Sequence, residues 1–307
     1  MNATREAAAG ATVATMTVVV FFDEAAIGAL ARDRIRTLVS KHPARVIVLD
    51  ATQEPSRERV DPADWNELGV KDGAAESLRA SVDALRLPGA PIVLCWIAPG
   101  IARDQRFAAL SASAETVVCN SSLIDGGRSA LREVVECVSL HPQMALADIA
   151  YLRLAPWQES VAIFFDGKDA PALRDLQCVE IACGSEPEAL YLLGWLASRL
   201  RWTPHAPGTM LDESGKRVAF AIRREGEPRR IVRIALSSSH STFVAQADAQ
   251  AQTILLSVSG SSVRPARYRP IENPGIAALV ERAIFWGRND RIFAGALAAA
   301  GAILAEC

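Results

Sequence analysis

Two strand-to-helix turns hold the residues of this chain best placed to do chemistry. At Leu123-Ile-Asp-Gly-Gly-Arg128, paired glycines would let backbone N–H groups converge on a phosphate at a helix N-terminus, with Arg128 adding charge. Glycine is equally what a tight turn requires, and the Lys-Ser/Thr of a P-loop is missing, so the turn reading comes first. A sugar-phosphate sensor or enzyme using Asp125-Gly126-Gly127 stands as the alternative function. Phe22-Asp-Glu-Ala-Ala-Ile-Gly28 occupies the place of a dinucleotide-binding loop, but it has one glycine where that fingerprint needs three. Asp50, at the end of the next strand, then has no ribose to hold, and no cofactor is assigned.

Other constellations are weaker. The four histidines, His42, His141, His205 and His240, are scattered, Gly-x-Ser-x-Gly is absent, and nothing sets a base beside a nucleophile. Six cysteines, at 95, 119, 137, 178, 183 and 307, form no C-x-x-C pair and have no His at ligand spacing, which argues for buried, reduced thiols over a zinc site. No catalytic or metal-binding residue is assigned. Seven basic residues, Lys216, Arg217, Arg223, Arg224, Arg229, Arg230 and Arg233, mark a ribbon that could receive an acidic protein surface, a sugar phosphate or RNA. Glu225 and Glu227 dilute it, and Arg264, Arg267 and Arg269 would extend it if the chain folds back.

The segment Glu188 to Trp202 is apolar on two helical faces at once. At about 100° per residue, Ala189, Leu192, Leu193, Leu196 and Leu200 form one stripe, and Tyr191, Trp195, Arg199 and Trp202 form a second. The first suits a sheet. The second either packs beneath another element of the same chain or meets a partner protein, since Trp, Tyr and Arg are enriched where proteins bind. With Trp157, these four residues are the candidate partner-binding set.

Alternating strand and helix signals position these groups. Met16 to Phe22 reads as a buried strand, and Asp23 is placed to cap a helix over Glu24 to Ser40. Strands at Arg45 to Asp50, Pro91 to Trp96 and Glu115 to Cys119 follow, with helices at Ala74 to Leu87, Arg103 to Leu110 and Gly126 to Leu140. This spacing implies a mostly parallel, doubly wound sheet. Ala51 to Trp65 reads as a long loop, with an extra strand expected at Trp65 to Val70. After His141-Pro142 the pattern changes to a helix over Trp157 to Phe165, a strand over Leu176 to Ala182, the two-faced helix, and four alternating runs between Arg217 and Ser259 that suggest an antiparallel meander. Two helices close the chain; the last places Gly295, Ala299 and Ala302 for close approach. The expected organisation is a flexible 1–15 segment, an α/β domain over 16–141 and an α+β domain over 142–307.

Half of the 307 residues are hydrophobic, enough for two filled cores. A net charge of −2 and a pI near 6.1 argue against general affinity for nucleic acid or anionic membrane. No secretory signal is read at the start, and the longest apolar tract, Ile292 to Ala305, falls short of the roughly 20 residues of a membrane span. A cytoplasmic protein is expected, with proteins or small molecules as partners and self-association left open.

Four segments in order carry a family resemblance. These are His42-Pro43-Ala-Arg-Val-Ile-Val-Leu49, Leu85-Arg-Leu-Pro-Gly-Ala-Pro-Ile-Val-Leu-Cys-Trp96, Leu154-Ala-Pro-Trp157 and Glu188 to Trp202 with its Gly-Trp-Leu-Ala-Ser-Arg-Leu core. Together, over Val18 to Ser259, the chain resembles the glucose-6-phosphate dehydrogenase assembly protein family, OpcA. The resemblance implies a non-enzymatic partner that binds glucose-6-phosphate dehydrogenase, promotes its active oligomer and raises its activity in the oxidative pentose phosphate pathway. Relatives commonly carry Trp at Tyr151 and at Cys95, Thr at Ala155 and Arg at Gln158.

Overall fold

Apolar β-branched runs that cannot be left in water set the first sheet. In a computed structural model of the chain, which describes residues 14–60, 64–123, 127–226, 230–248, 250–261, 263–271, 274–286 and 290–306, Thr17–Phe22 (β1) is buried at every position. It leads into Ala25–Val39 (α1), Arg45–Asp50 (β2), Ser56–Val60 (β3), Trp65–Gly69 (β4) and Ala75–Leu85 (α2). Ile92–Ile97 (β5), Gln105–Ser111 (α3), Thr116–Cys119 (β6), Arg128–Leu140 (α4) and Leu146–Asp148 (β7) complete the unit. The strand order is β3-β4-β2-β1-β5-β6-β7, parallel throughout except that β3 runs antiparallel to β4. The expected mostly parallel, doubly wound sheet is therefore present. Successive residues of β1 face opposite layers: Val19 and Phe21 pack toward α2, α3 and α4, and Val18, Val20 and Phe22 toward α1.

Several expectations are corrected here. The stretch read as a long loop contains β3, a polar edge strand whose Ser-Arg-Glu-Arg sequence gives no apolar signal. Asp23 does not cap α1; Glu24 holds that position, without a side-chain cap bond. The boundary at 141/142 is not a clean division, because β7 joins the first sheet beside β6. The chain end also returns: Ile276–Trp286 (α8) places Leu279, Val280 and Ala283 against the layer that contains α1. The flexible segment read over 1–15 lies, up to residue 13, outside the described residues.

The second half continues with Ile149–Leu152 (α5), Ala155–Phe164 (α6), a 3-10 segment over Gly167–Asp175, Leu176–Cys183 (β8) and Glu186–Leu200 (α7). The remaining strands are Thr203–Ala206 (β9), Thr209–Leu211 (β10), Arg217–Arg224 (β11), Ile231–Ser238 (β12), Ser241–Asp248 (β13), Thr253–Gly260 (β14) and Arg264–Pro270 (β15), with Arg291–Glu306 (α9) after α8. They form a sheet of order β15-β14-β13-β12-β8-β11-β10-β9. The expected meander holds for β12 to β14, and β15, a strand beyond the predicted runs, extends it. It fails for β11, which lies parallel to β8 and on the far side of it from β12.

Helix α7 joins the layers. Its leucine stripe packs in one continuous core with Val179 and Ile181 of β8 and Leu236 of β12. Its other side meets α9 so closely that a Cβ on Gly194 would stand 2.4 Å from the Ala296 carbonyl oxygen and 2.8 Å from the Ala300 nitrogen. The face of α9 that makes this contact is Phe293, Ala296, Leu297, Ala300, Ile303 and Leu304. Of the expected Gly295, Ala299 and Ala302, Gly295 lies against Ser198 of α7, Ala299 packs against the core and Ala302 is exposed.

Candidate functional site

In open α/β sheets, ligands bind at the strand C-termini where strand order reverses, here between β1 and β5. That crevice is lined with acid. Asp23 follows β1, and its carboxyl pKa is raised by burial and by Asp104, against Arg106. Arg106, at the start of α3, lies over the Phe21 ring at 4.9 Å and is bound by Asp104 through Nε at 3.0 Å, with Asp23 and Asp72 also acting on it. Three carboxylates against one guanidinium repel a pyrophosphate. Gly28, the one glycine of the loop, serves packing instead: a Cβ there would strike the Phe22 ring at 2.3 Å. Asp50, 3% exposed, accepts from Arg32 at 2.8 Å and from the Thr52 hydroxyl at 2.6 Å. Burial works against its charge, but Thr52 and Arg32 outweigh it and hold the carboxyl pKa below the usual range. The carboxylates of this crevice are thus either committed to other partners or carry the wrong sign for a pyrophosphate.

The alternative phosphate turn fares no better. Ile124, Asp125 and Gly126 lie outside the described residues, but Gly127 is left-handed, with φ of 52°, and the Glu186 carboxylate faces it, 2.9 Å from where a Cβ would stand. Arg128 pairs with Glu186 at 3.5 Å. A carboxylate therefore occupies the approach that an anion would take.

Between the two sheets lies a buried polar junction that sequence reading did not find. Asp148, at the end of β7, accepts from the Ala150 and Ser121 N–H groups and from the Tyr191 hydroxyl at 2.9 Å. Burial raises the pKa of its carboxyl, against those bonds. Glu188, in the first turn of α7, pairs with Arg153 and accepts from Ser122 at 3.2 Å. Burial carries its pKa up to about 7, with Arg153 and Ser122 opposing. These bonds fasten α7 to the strand ends of the first sheet.

The five candidate partner residues separate accordingly. Tyr191, Trp157 and Trp202 are core residues, 0%, 6% and 6% exposed, so the surface reading is corrected for them. Trp195 is half-buried and Arg199 is exposed. Trp195 borders a groove of about 360 Å³ whose lining includes Tyr151, Ala155, Gln158, Arg282 and Ile292, contributed by α5, α6 and the chain around α8 and α9. Burial, reinforced by Asp290, lifts the Tyr151 hydroxyl to about 12 against Gln158, Arg282 and Arg199, so it stays protonated as a donor. The Gln158 amide nitrogen is buried without a partner. An aromatic floor with neutral donors and a rim of mixed charge, Arg282 with Glu159 and Asp290, suits a protein segment better than bond-making chemistry. No local signal links these residues, since they are spread along the chain from Tyr151 to Ile292.

The expected basic ribbon does not form. Arg223 and Arg233 lie on either side of β8 and both face Glu180, at 3.3 and 3.8 Å. Arg264 and Arg269 lie on the opposite sheet edge, paired with Asp169 and Glu159. Arg229 and Glu227 are outside the described residues. Among the described residues no group of three or more His, Cys, Asp or Glu side chains could hold a metal, and no helix is long and apolar enough to cross a membrane.

A parallel α/β unit followed by a helix-backed open sheet is the architecture of two-domain oxidoreductases. An oxidoreductase from Sinorhizobium meliloti superposes with a TM-score of 0.56 at 9% identity, covering 95% of this chain and 96% of that one. The 3-ketoreductase KijD10 from Actinomadura kijaniata, in complex with TDP-benzene and NADP, gives 0.52 at 9%, covering 95% and 96%. At such identity the likeness is one of fold alone, and the crevice residues described above do not fit the dinucleotide which that fold implies. The sequence comparisons are more specific. The family described as the C-terminal domain of a glucose-6-phosphate dehydrogenase subunit, OpcA, matches residues 144–297, half of the chain. The chain belongs to this family. A protein of Synechocystis sp. named "Putative OxPP cycle protein OpcA" is 30% identical over 189 residues, 55% of this chain and 39% of its own length. Its namesake in Nostoc punctiforme is 32% identical over 164 residues, 52% and 35%. The match thus spans well under half of the length of these relatives.

Proposed function

We propose that this chain is a non-enzymatic cytoplasmic partner of glucose-6-phosphate dehydrogenase that docks on the enzyme and favours its active oligomer. Family membership supports the choice of partner. The observation that carries the non-catalytic part is the acid-lined crevice, where Asp23, Asp104 and the committed Asp50 stand in the place of a dinucleotide loop. The Trp195 groove is the docking site that best fits this role, with Arg199 beside it. Tyr151, Ala155 and Gln158 all line that groove. Activation of this kind requires tighter binding to the assembled, active enzyme than to its other state.

The test is to add the purified chain to its host's glucose-6-phosphate dehydrogenase and follow activity together with hydrodynamic mass. Both should rise, and Trp195→Ala should abolish the rise while the chain keeps a cooperative thermal transition. A dehydrogenase indifferent to the chain, or turnover of a metabolite by the chain alone, refutes the proposal.

A further inference from the structure

Unpaired polar atoms gather on the α1 side of the first sheet. Alternate residues of β5 and β6 turn toward α1: Cys95 and Ile97 from one strand, Val118 from the other, and then Asn120 just past the end of β6. Asn120 is 5% exposed, and neither its Nδ2 nor its Oδ1 has a hydrogen-bond partner. The Nε of Arg34, on α1, is also buried without one. A buried polar group left unpaired carries its full desolvation cost, so three at one place call for a physical reason. Asn120 and Arg34 line the same cavity, which offers about 50 Å³ of free space and is walled by Leu30 of α1 and by Ile276 and Val280 around α8. Asp23, Asp104 and Arg106 of the crevice do not line it, so it is a separate place in the fold.

We propose that this cavity is a binding site for a short-chain aliphatic carboxylate. The unpaired groups set the head. Nδ2 of Asn120 and the Arg34 guanidinium are donors and one of them is cationic, which suits the oxygens of an anion. Arg34 is held only loosely, by Asp33 at 3.7 Å, and its side chain is 43% exposed, so an anion can reach it from solvent. Among the described residues no carboxylate lines the cavity, and burial pushes the Cys95 thiol up to about 12, so it stays neutral. An ammonium group, and with it an amino acid, therefore finds no counter-charge. The walls set the body: apart from Asn120 and Arg34 the lining is Ile, Leu, Val, Ala and Cys. A water takes about 30 Å³ and needs two to four polar partners. The space exceeds one water, and a second would face alkyl groups alone, whereas a branched chain end of two or three carbons fills it without loss. The resulting site has the usual design of an apolar slot with a few placed polar groups.

Calorimetry on the purified full chain with isovalerate as the probe tests this. Binding should saturate with a Kd of about 1 mM or tighter and should raise the melting temperature. Acetate, which lacks the alkyl body, and 3-methylbutan-1-ol, which lacks the anion, should each bind at least about tenfold more weakly. Asn120→Leu replaces the unpaired amide by an alkyl group of similar size, so it should abolish binding while leaving the melting temperature unchanged or higher. Arg34→Gln, on a half-exposed helix position, is the check should Asn120→Leu fail to fold, and it should weaken isovalerate by about tenfold or more. A wild type that does not bind isovalerate, which leaves the cavity to water, overturns the proposal. So does acetate or the alcohol binding as tightly as isovalerate, or isovalerate binding that the two variants leave unchanged.

Discussion

Gly194→Ala should destabilise the chain although alanine is the better helix former. In isolation the change favours α7 by about 1 kcal/mol. In the fold, the new Cβ would stand 2.4 Å from the Ala296 carbonyl oxygen, 2.8 Å from the Ala300 nitrogen and 3.0 Å from the Ala300 Cβ. Two of these are backbone atoms of α9, so no side-chain rotation relieves them and the helices must part by about 1 Å. A gap of that size forfeits a quarter to a half of each contact well along the seam, and strain with lost packing is worth about 3 kcal/mol. The net expectation is a loss of about 2 kcal/mol. Gly295→Ala on the facing helix is the matched control: its Cβ would meet Ser198 at 3.5 Å, an ordinary contact, so the propensity gain should survive and stability should be unchanged or higher by up to about 1 kcal/mol. Guanidinium unfolding followed by tryptophan fluorescence measures both. If Gly194→Ala proves as stable as the wild type, or the two variants behave alike, the argument that α7 and α9 are locked by a glycine contact is wrong.

Two further outcomes follow from the junction between the sheets. Tyr191→Phe removes one of the donors on the buried Asp148 carboxylate and should cost about 1–3 kcal/mol of stability, read as a lowered unfolding midpoint; no loss would mean that the bond carries nothing. Glu188 has a folded pKa of about 7 against an ordinary value of 4.5, so the stability its neutral form contributes is full below pH 4.5 and is lost as pH rises through 7. Relative to Glu188→Gln, the wild type should therefore lose on the order of 3 kcal/mol across that window. A difference independent of pH would refute the assignment.

Legibility in the sequence followed the reach of each interaction. The strand runs Thr17–Phe22 and Arg45–Asp50 were readable because a continuous apolar β-branched run has few other places to go. That the turn after β1 holds a single glycine was readable too, since a glycine fingerprint is a local pattern. Strand β3 was not, because a polar edge strand is stabilised by pairing with β4 and not by burial. The parallel insertion of β11 beside β8 was hidden for the same reason: alternation marks a strand without naming its neighbour.

By itself, then, the sequence determined the alternation of elements, the doubly wound first sheet, the single glycine of the turn after β1 and the existence of a helix with two apolar faces. Only the tertiary structure decided what the second face meets. Tyr191 is claimed by Asp148, 43 residues away, and the Gly194 side by Ala296 and Ala300 of α9, leaving Trp195 and Arg199 nearer the solvent. The reason is that a helical period states how side chains are distributed around an axis, while which of them is buried depends on elements brought up from distant parts of the chain.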